Sequence, residues 1–324
     1  MTTVNMRDLR IVFMGTPEFA RVILKQMLHE RWGVVGVVTQ PDRARGRKRD
    51  VLFSPVKQLA VESGLPVLQP ERIRAREAQD ELAAMCPDLL VTAAYGQILP
   101  VSVLTLPGRG AFNLHGSILP SYRGGAPIQW AIRNGEATTG VSLMTMTRAM
   151  DAGEVWAVRE IAIAPDATYG DIHDQLAQIG AALLIEALPE VLAGTLQATQ
   201  QDESLVTFAP TLKRSDEAID WQQTACQVHN QIRSLAPKPG AFSLLRGEIV
   251  KILSTRCDEE DGLRGTPGEV VALTPAGPVI ACGCGTVTAL QLQIAGRTLQ
   301  SGAEFARGQR DLLGTVLSAP EVSS

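Results

Sequence analysis

The chain has 324 residues, 45% of them hydrophobic and 20% charged, with 30 Lys plus Arg against 34 Asp plus Glu. At roughly 150 residues per domain this length suggests two domains, and the composition excludes a chain too polar to fold. A net charge of −4 excludes a surface coated in positive charge, so a site for a polyanion must show as a local cluster.

The first two hundred residues alternate two periodicities. Arg10 to Gly15 is a short apolar run closed by Gly15-Thr16-Pro17, and Phe19 to Leu28 follows with Val22, Ile23, Met27 and Leu28 at helical spacing. Gly33 to Thr39 is β-branched and reads as a buried strand, Val56 to Ser63 as a helix, and Asp88 to Ala93, Ala111 to Leu114 and Val141 to Met146 as further strands. Strands separated by helices predict a doubly wound, mostly parallel α/β sheet. Thr168 to Leu188 closes this half as a long helix, with Thr168 as its cap, Asp171 in its first turn, and Ile172, Leu176, Ile179 and Leu183 as its stripe.

The boundaries that follow are a first domain at 1–193, a polar linker at 194–210 and a second domain at 211–324. In the second domain Gln222 to Leu235 reads as a helix with Ala225, Val228, Ile232 and Leu235 on one face. Short strands follow at Phe242 to Leu245, Glu248 to Leu253, Glu269 to Leu273, Pro278 to Cys282 and Thr286 to Ile294, punctuated by glycines, which suggests a small barrel.

Five cysteines, Cys86, Cys226, Cys257, Cys282 and Cys284, are an odd number that does not suit a disulfide scaffold. No second pair of ligands follows Cys282 and Cys284 at zinc-finger spacing, so no metal is expected. Neither a signal peptide nor an apolar run near the ~18 residues of a membrane span is read, and the expectation is a cytoplasmic monomer without a membrane partner.

The stretch Ala111 to Pro127 carries the candidate chemistry. Asn113 and His115, two apart in a strand, share a face at its carboxyl end, the edge where open α/β sheets bind ligands. Asp151 follows the next strand at the corresponding edge. Each alone suits a structural role: a hydrogen-bonded histidine, a turn-forming asparagine, an aspartate before Ala-Gly. After the first strand, Gly15-Thr-Pro-Glu-Phe-Ala20 lacks the second and third glycines of a dinucleotide fingerprint, which disfavours NAD. Arg43-Ala-Arg45-Gly-Arg47-Lys48-Arg49 sets five basic residues among seven on a net-acidic chain, either a solvated loop or a site for a nucleic-acid backbone. Residues 211–324 carry 11 basic and 12 acidic side chains, so contact with a nucleic acid there would need a patch such as Lys213, Arg214, Arg233 and Lys238.

Asn113-Leu-His115-Gly-Ser-Ile-Leu-Pro120, then Tyr122-Arg-Gly-Gly-Ala-Pro127, then Asp151, resembles the signature of the 10-formyltetrahydrofolate-dependent formyltransferases. Gly15 to Phe19, Gln40 to Arg43 through Ser54 to Lys57, Tyr95 to Pro100, Thr138 to Val141, Ile219 to Trp221 and Arg233 to Gly240 extend the resemblance over essentially the whole chain and narrow it to the branch acting on methionyl-tRNA. The resemblance implies a Rossmann-like formyltransferase domain followed by an OB-like β-barrel that binds tRNA. It implies catalytic roles for Asn113, His115 and Asp151, and a folate co-substrate lying along Ser117, Ile118, Leu119 and Pro120. It implies that initiator methionyl-tRNA, selected partly by its weak acceptor end, meets Arg43, Arg45, Arg47, Lys48 and Arg49, with Arg47 at the family's critical arginine.

The residues suit that chemistry. Formyl transfer between nitrogens develops an oxyanion, for which Asn113 offers an amide donor and protonated His115 a charged one. An aminoacyl α-amine, with a reference pKa of about 7.7–8.0, needs no protein nucleophile to act for it. Asp151 can orient His115 and help relay the proton. Two rivals use the same residues: a formyltransferase for a small amine, which has no need of Arg43 to Arg49, and a silent tRNA-binding protein, against which the complete triad counts.

Overall fold

Runs of β-branched and aliphatic residues that are buried on both faces build a central sheet. The computed structural model describes residues 4–45, 50–258 and 265–318. Strands β1 (Ile11–Gly15), β2 (Val34–Val38), β3 (Arg43–Arg45), β4 (Asp50–Leu52), β5 (Val67–Leu68), β6 (Leu89–Ala93), β7 (Ala111–His115), β8 (Thr138–Thr145) and β9 (Val155–Ala162) form in its first part. Seven of them make one sheet in the order β5-β2-β1-β6-β7-β8-β9, while β3 and β4 pair as a separate hairpin. β5, β2, β1, β6 and β7 run parallel, and β7 meets β8 antiparallel. The sheet is therefore mostly parallel and Rossmann-like.

The order reverses between β1 and β6, because the chain steps outward through β2 and β5 and then returns to β6 on the other side. That reversal leaves a crevice beyond the carboxyl ends of the strands. Gly15 closes β1 there, and a Cβ on it would lie 2.6 Å from Ala20 Cβ and 2.9 Å from the Ala93 carbonyl. Its conservation of space is a packing requirement between β1, β6 and the following helix.

Helix α1 (Glu18–His29) buries Phe19, Ala20, Ile23, Leu24 and Met27, the three-and-four spacing of one face. α2 (Pro55–Glu62) starts where Ser54 accepts the Lys57 N–H at 3.1 Å, with Pro55 at its first position. α3 (Arg76–Ala84), α4 (Val101–Leu104) and α5 (Pro127–Arg133) are shorter than α1. α6 (Tyr169–Ala193) begins as expected: Asp171 accepts from the Thr168 backbone at 2.9 Å while Thr168 Oγ1 accepts from the Asp171 N–H at 3.3 Å. Contrary to the sequence reading, α6 is long and apolar enough to cross a membrane. Half of its most apolar window is buried, the helix buries Leu176, Leu183, Leu184 and Leu188, and Asp174, Glu186 and Glu190 lie along it. Each fully buried Leu or Val contributes about 1.5–3 kcal/mol relative to exposure.

Two compact units emerge, and they do not follow the chain in simple halves. The first holds residues up to 127, 139–161 and 173–210; the second holds 128–138, 162–172 and 211 onward. The expected linker 194–210 is bonded into the first unit: Val155 and Thr199 exchange backbone hydrogen bonds, the Arg123 N–H donates to the Thr207 carbonyl, and the Ala209 N–H donates to the Arg123 carbonyl. Its lack of periodicity reflects an irregular path, not slack.

In the second unit α7 (Arg214–Glu217) precedes α8 (Ala225–Leu235), which starts three residues later than its apolar pattern suggested because Thr224 and Gln227 form a reciprocal cap. Strands β10 (Ala241–Leu245), β11 (Glu248–Asp258), β12 (Val270–Leu273), β13 (Pro278–Ala281), β14 (Thr286–Ile294) and β15 (Gln300–Ser301) precede α9 (Gly302–Gly308). The strand order is β10-β11-β14-β13-β12, antiparallel throughout, with β15 on β14. Both edges of this sheet are bridged by one segment: Leu244 pairs with Ser318 and Glu269 with Val316. The sheet is thereby closed into a small OB-like barrel over Trp221, Val228, Ile232, Val250, Ile280 and Leu292.

Candidate active site

The carboxyl edge of the parallel sheet gathers polar side chains that the strand period alone places there. On β7, Asn113 is half-buried and His115 buried, both on the face opposite Phe112 and Leu114. Thr92 of β6 lies beside Asn113 in register, and its hydroxyl donates to Asn113 Oδ1 at 2.7 Å. That contact identifies the far edge of the carboxamide as its Nδ2 donor side.

His115 has an acceptor at each ring nitrogen. Nε2 donates to the Tyr122 carbonyl at 2.9 Å, and Nδ1 lies 3.6 Å from Asp151 Oδ2. Asp151 also accepts the Gly124 N–H at 2.9 Å. Both Tyr122 (φ +62°) and Asp151 (φ +52°) adopt the left-handed region, which costs a non-glycine residue on the order of 1 kcal/mol and gathers at functional sites. The structure thus brings Asn113, His115 and Asp151 into one cluster. It also shows that His115, expected as a second oxyanion donor, already spends Nε2 on Tyr122.

Residues 117–120 separate into two pairs. Ser117 is fully buried, with its hydroxyl donating to the Ser121 carbonyl at 2.6 Å, and Leu119 is buried as well. Ser142 of β8 holds the turn from beneath: its hydroxyl donates to the Ser117 carbonyl at 2.7 Å and accepts the Leu119 N–H at 3.1 Å. Ile118 and Pro120 remain half-buried, Ile118 against Gly140, where a Cβ would come within 2.9 Å. At the neighbouring β1–β6 crevice, Thr16 and Gln40 both donate to the Tyr95 carbonyl at 3.1 Å, while the Tyr95 phenol is buried without a hydrogen-bond partner among the described residues. Burial pushes the Tyr95 pKa up, so the phenol stays neutral.

The basic run forms part of a hairpin. Arg43 pairs with Leu52, Ala44 with Val51 and Arg45 with Asp50, and Arg43 is exposed. Arg47, Lys48 and Arg49 lie outside the described residues. Asp42, which brackets the run, is partnered elsewhere. Burial disfavours its charge, but hydrogen bonds from Lys57 and from Gln69 (3.0 Å) prevail and hold its carboxyl below the usual range. Lys57 in turn sits 3.9 Å above the Phe53 ring.

In the second unit the suggested patch divides. Lys213, Arg214 and Lys238 are exposed, with Arg214 paired to Glu217 and stacked 4.0 Å from the Phe242 ring. Arg233 is buried, donating to Asn230 and to the Ala167 carbonyl, so it supports the fold and is withdrawn from the surface.

Sequence reading missed Thr92 and Ser142, whose hydroxyls orient the site. Their partners are 21 and 25 residues away in sequence, across neighbouring strands, and no local spacing marks them.

Comparison with known proteins bears on the family. Positions 9–188 match the family described as "Formyl transferase", and 211–310 match "Formyl transferase, C-terminal domain". A protein named methionyl-tRNA formyltransferase from Geobacter sulfurreducens is 43% identical over 96% of this chain and 98% of its own. One of the same name from Bacillus subtilis is 43% identical over 95% and 97%. Among solved structures, WlaRD, a sugar 3N-formyl transferase solved with dTDP and 5-N-formyl-THF, superposes with a TM-score of 0.66 at 16% identity, covering 91% of this chain and 100% of that one. HypX from Aquifex aeolicus, in complex with tetrahydrofolic acid, superposes with a TM-score of 0.62 at 22% identity, covering 92% and 46%. At those identities the two structures speak for the fold alone.

Proposed function

This chain belongs to the methionyl-tRNA formyltransferase family, and from that premise we propose that it moves the formyl group of 10-formyltetrahydrofolate to the α-amino group of methionine on initiator methionyl-tRNA, for translation initiation. The observation that carries the reading at the site is the Asn113 carboxamide at the end of β7, whose Oδ1 is held by Thr92 so that Nδ2 is left as its donor side, beside buried His115 and half-buried Asp151.

The amine attacks the formyl carbon, a C–N bond to methionine forms, and the bond to the folate nitrogen breaks. As the carbonyl carbon becomes tetrahedral, its oxygen gains negative charge that Asn113 Nδ2 stabilises as a preorganised donor. The His115–Asp151 pair receives the proton that the attacking amine loses and returns one to the departing nitrogen, with Asp151 holding the ring in orientation. His115 adds to oxyanion stabilisation when its Nε2 exchanges the Tyr122 carbonyl for the charged oxygen. Ile118 and Pro120, the half-buried members of 117–120, offer apolar contact to the co-substrate, while Ser117 and Leu119 shape the turn. The hairpin of Arg43 and Arg45, with Arg47, Lys48 and Arg49, engages tRNA phosphates, and exposed Lys213 and Lys238 support it from the second domain. The enzyme acts in the cytoplasm as a monomer.

The test is kcat/KM on initiator and elongator methionyl-tRNA, for wild type and Arg47→Leu, at two salt concentrations. Wild type should prefer the initiator. Arg47→Leu should lose efficiency and show a salt dependence shallower by up to about one unit in log–log slope, as for one duplex phosphate contact. Equal use of both tRNAs, with no effect of Arg47→Leu at either salt, would return the small-amine reading to first place.

A further inference from the structure

Arg123 is a buried charge, 5% exposed, and a buried guanidinium persists only where partners compensate its desolvation. Two groups from the irregular segment do so. Glu203 accepts from Nη2 at 2.8 Å, and Gln201 Oε1 accepts from Nη2 at 2.9 Å and from Nε at 3.1 Å. Because a guanidinium only donates, it decides which end of the Gln201 carboxamide faces it. The other end, Nε2, donates to the Asp151 carbonyl at 2.8 Å and to the Gly153 carbonyl at 2.7 Å. Two hydrogens are given and two lone pairs are filled, so the carboxamide is saturated. Glutamate in its place has no hydrogen to give, and leucine can do neither.

The saturated carboxamide grips Asp151 where it is strained. With φ at +52°, Asp151 holds its carboxylate near His115 only while its neighbours over-determine the backbone. The same segment grips the other side of the pair. Thr207 Oγ1 accepts the Tyr122 N–H at 2.8 Å, on the same residue whose carbonyl meets His115 Nε2. Gly124, whose N–H holds Asp151, lies so close to this segment that a Cβ on it would come within 2.4 Å of the Ala209 carbonyl. Residues 199–209 therefore touch both loops that face the His115 ring.

We propose that Gln201 is a positioning residue for Asp151, and that residues 199–209, tightened by the Glu203–Arg123–Gln201 chain, clamp the separation and angle of the His115–Asp151 pair. The role in turnover rests on the formyl-transfer reading above. A displacement of about 1 Å at a reacting group can cost up to ~10²-fold in rate, and that sets the expected size.

The experiment compares wild type, Gln201→Leu, Gln201→Glu and Glu203→Gln at saturating 10-formyltetrahydrofolate and methionyl-tRNA, beside thermal melting and NMR of the histidine ring signals. The chain has four histidines, so His115 can be followed individually. Both Gln201 variants should lose about 10–100-fold in kcat with KM values within about twofold. The His115 ring signals should move while those of His29 stay. Glu203→Gln, which keeps a hydrogen bond but loses an exposed charge, should lose up to about fivefold and remain folded even where Leu at 201 does not. Unchanged kcat and unmoved His115 signals would overturn the proposal, as would a loss of activity that tracks only the unfolded fraction. Absence of formyl transfer by wild type would refute the functional reading separately, and the His115 signals would still decide whether the clamp exists.

Discussion

The two units each bury a histidine with a polar neighbour at both ring nitrogens, and the contrast between them separates the proposed site from a strut. His229 on α8 accepts from the Thr255 hydroxyl at Nδ1 (2.9 Å) and donates from Nε2 to the Pro165 carbonyl (3.3 Å). Asp166 lies 3.5 Å away, but its carboxylate is largely exposed. His115 has comparable burial. Its companions differ: a carboxylate largely removed from water, two residues in the left-handed region, and a half-buried Asn113 whose Oδ1 is taken by Thr92. Burial and a polar neighbour at each ring nitrogen are shared by both histidines, so neither marks chemistry. What marks it is the accumulation of unfavourable local choices around one ring.

The sharpest way to break that contrast is at Asn113. Asn113→Ala removes one preorganised donor and should lower kcat by roughly 10²–10³, with melting temperature retained, in a steady-state assay on methionyl-tRNA. His115→Gln should cost at least as much. A matching loss of turnover in His229→Gln would erase the distinction.

Next in size is Ser142→Ala, which leaves the Leu119 N–H and the Ser117 carbonyl without their buried partner. Denaturant titration should show a loss of about 1–3 kcal/mol. No loss would mean that the turn under residues 117–120 is held by its neighbours alone.

The smallest effect concerns pH. Burial, with the charge of Arg233 adding to it, depresses the His229 pKa below its ordinary 6.5, although the Pro165 carbonyl and Asp166 act the other way. The unfolded chain therefore takes up a proton that the folded chain refuses. The stability this neutral ring permits is complete above about pH 6.5 and is lost as pH falls from there through the depressed folded value. Melting curves at pH 7.5 and 5.5 should show a smaller acid-side drop for His229→Gln than for wild type. An equal drop would assign the acid sensitivity to other groups.

The legible part of this molecule was the part written in local periods. β1, β2, β6 and β7 were readable because residues buried on both faces make short β-branched runs, and Asn113 and His115 because a period of two puts them on one face. α3 was not, since Arg76–Ala84 buries only Ala78 and Leu82 and shows almost no apolar stripe. β9 was not, since Val155–Ala162 is half-exposed along its length without alternation. The basic hairpin looked like a loop because arginines seldom announce a strand. Thr92, Ser142 and Gln201 act across distances in sequence that no spacing rule spans, and Arg233 looked like surface because its burial depends on carbonyls elsewhere in its unit.

The closure of the barrel also orders events in time. Every residue of the first unit lies before position 211, whereas the second draws on 128–138 and is sealed only by residues near 316–318. At about 5–20 residues added per second during synthesis, the first unit is complete roughly 5–20 s before its companion can seal. Once made, and until the segment near 316–318 arrives, β10 and β12 leave their outer edges open to any passing strand. A ribosome stalled within this window would therefore display a finished transfer domain tethered to an adhesive, half-built barrel.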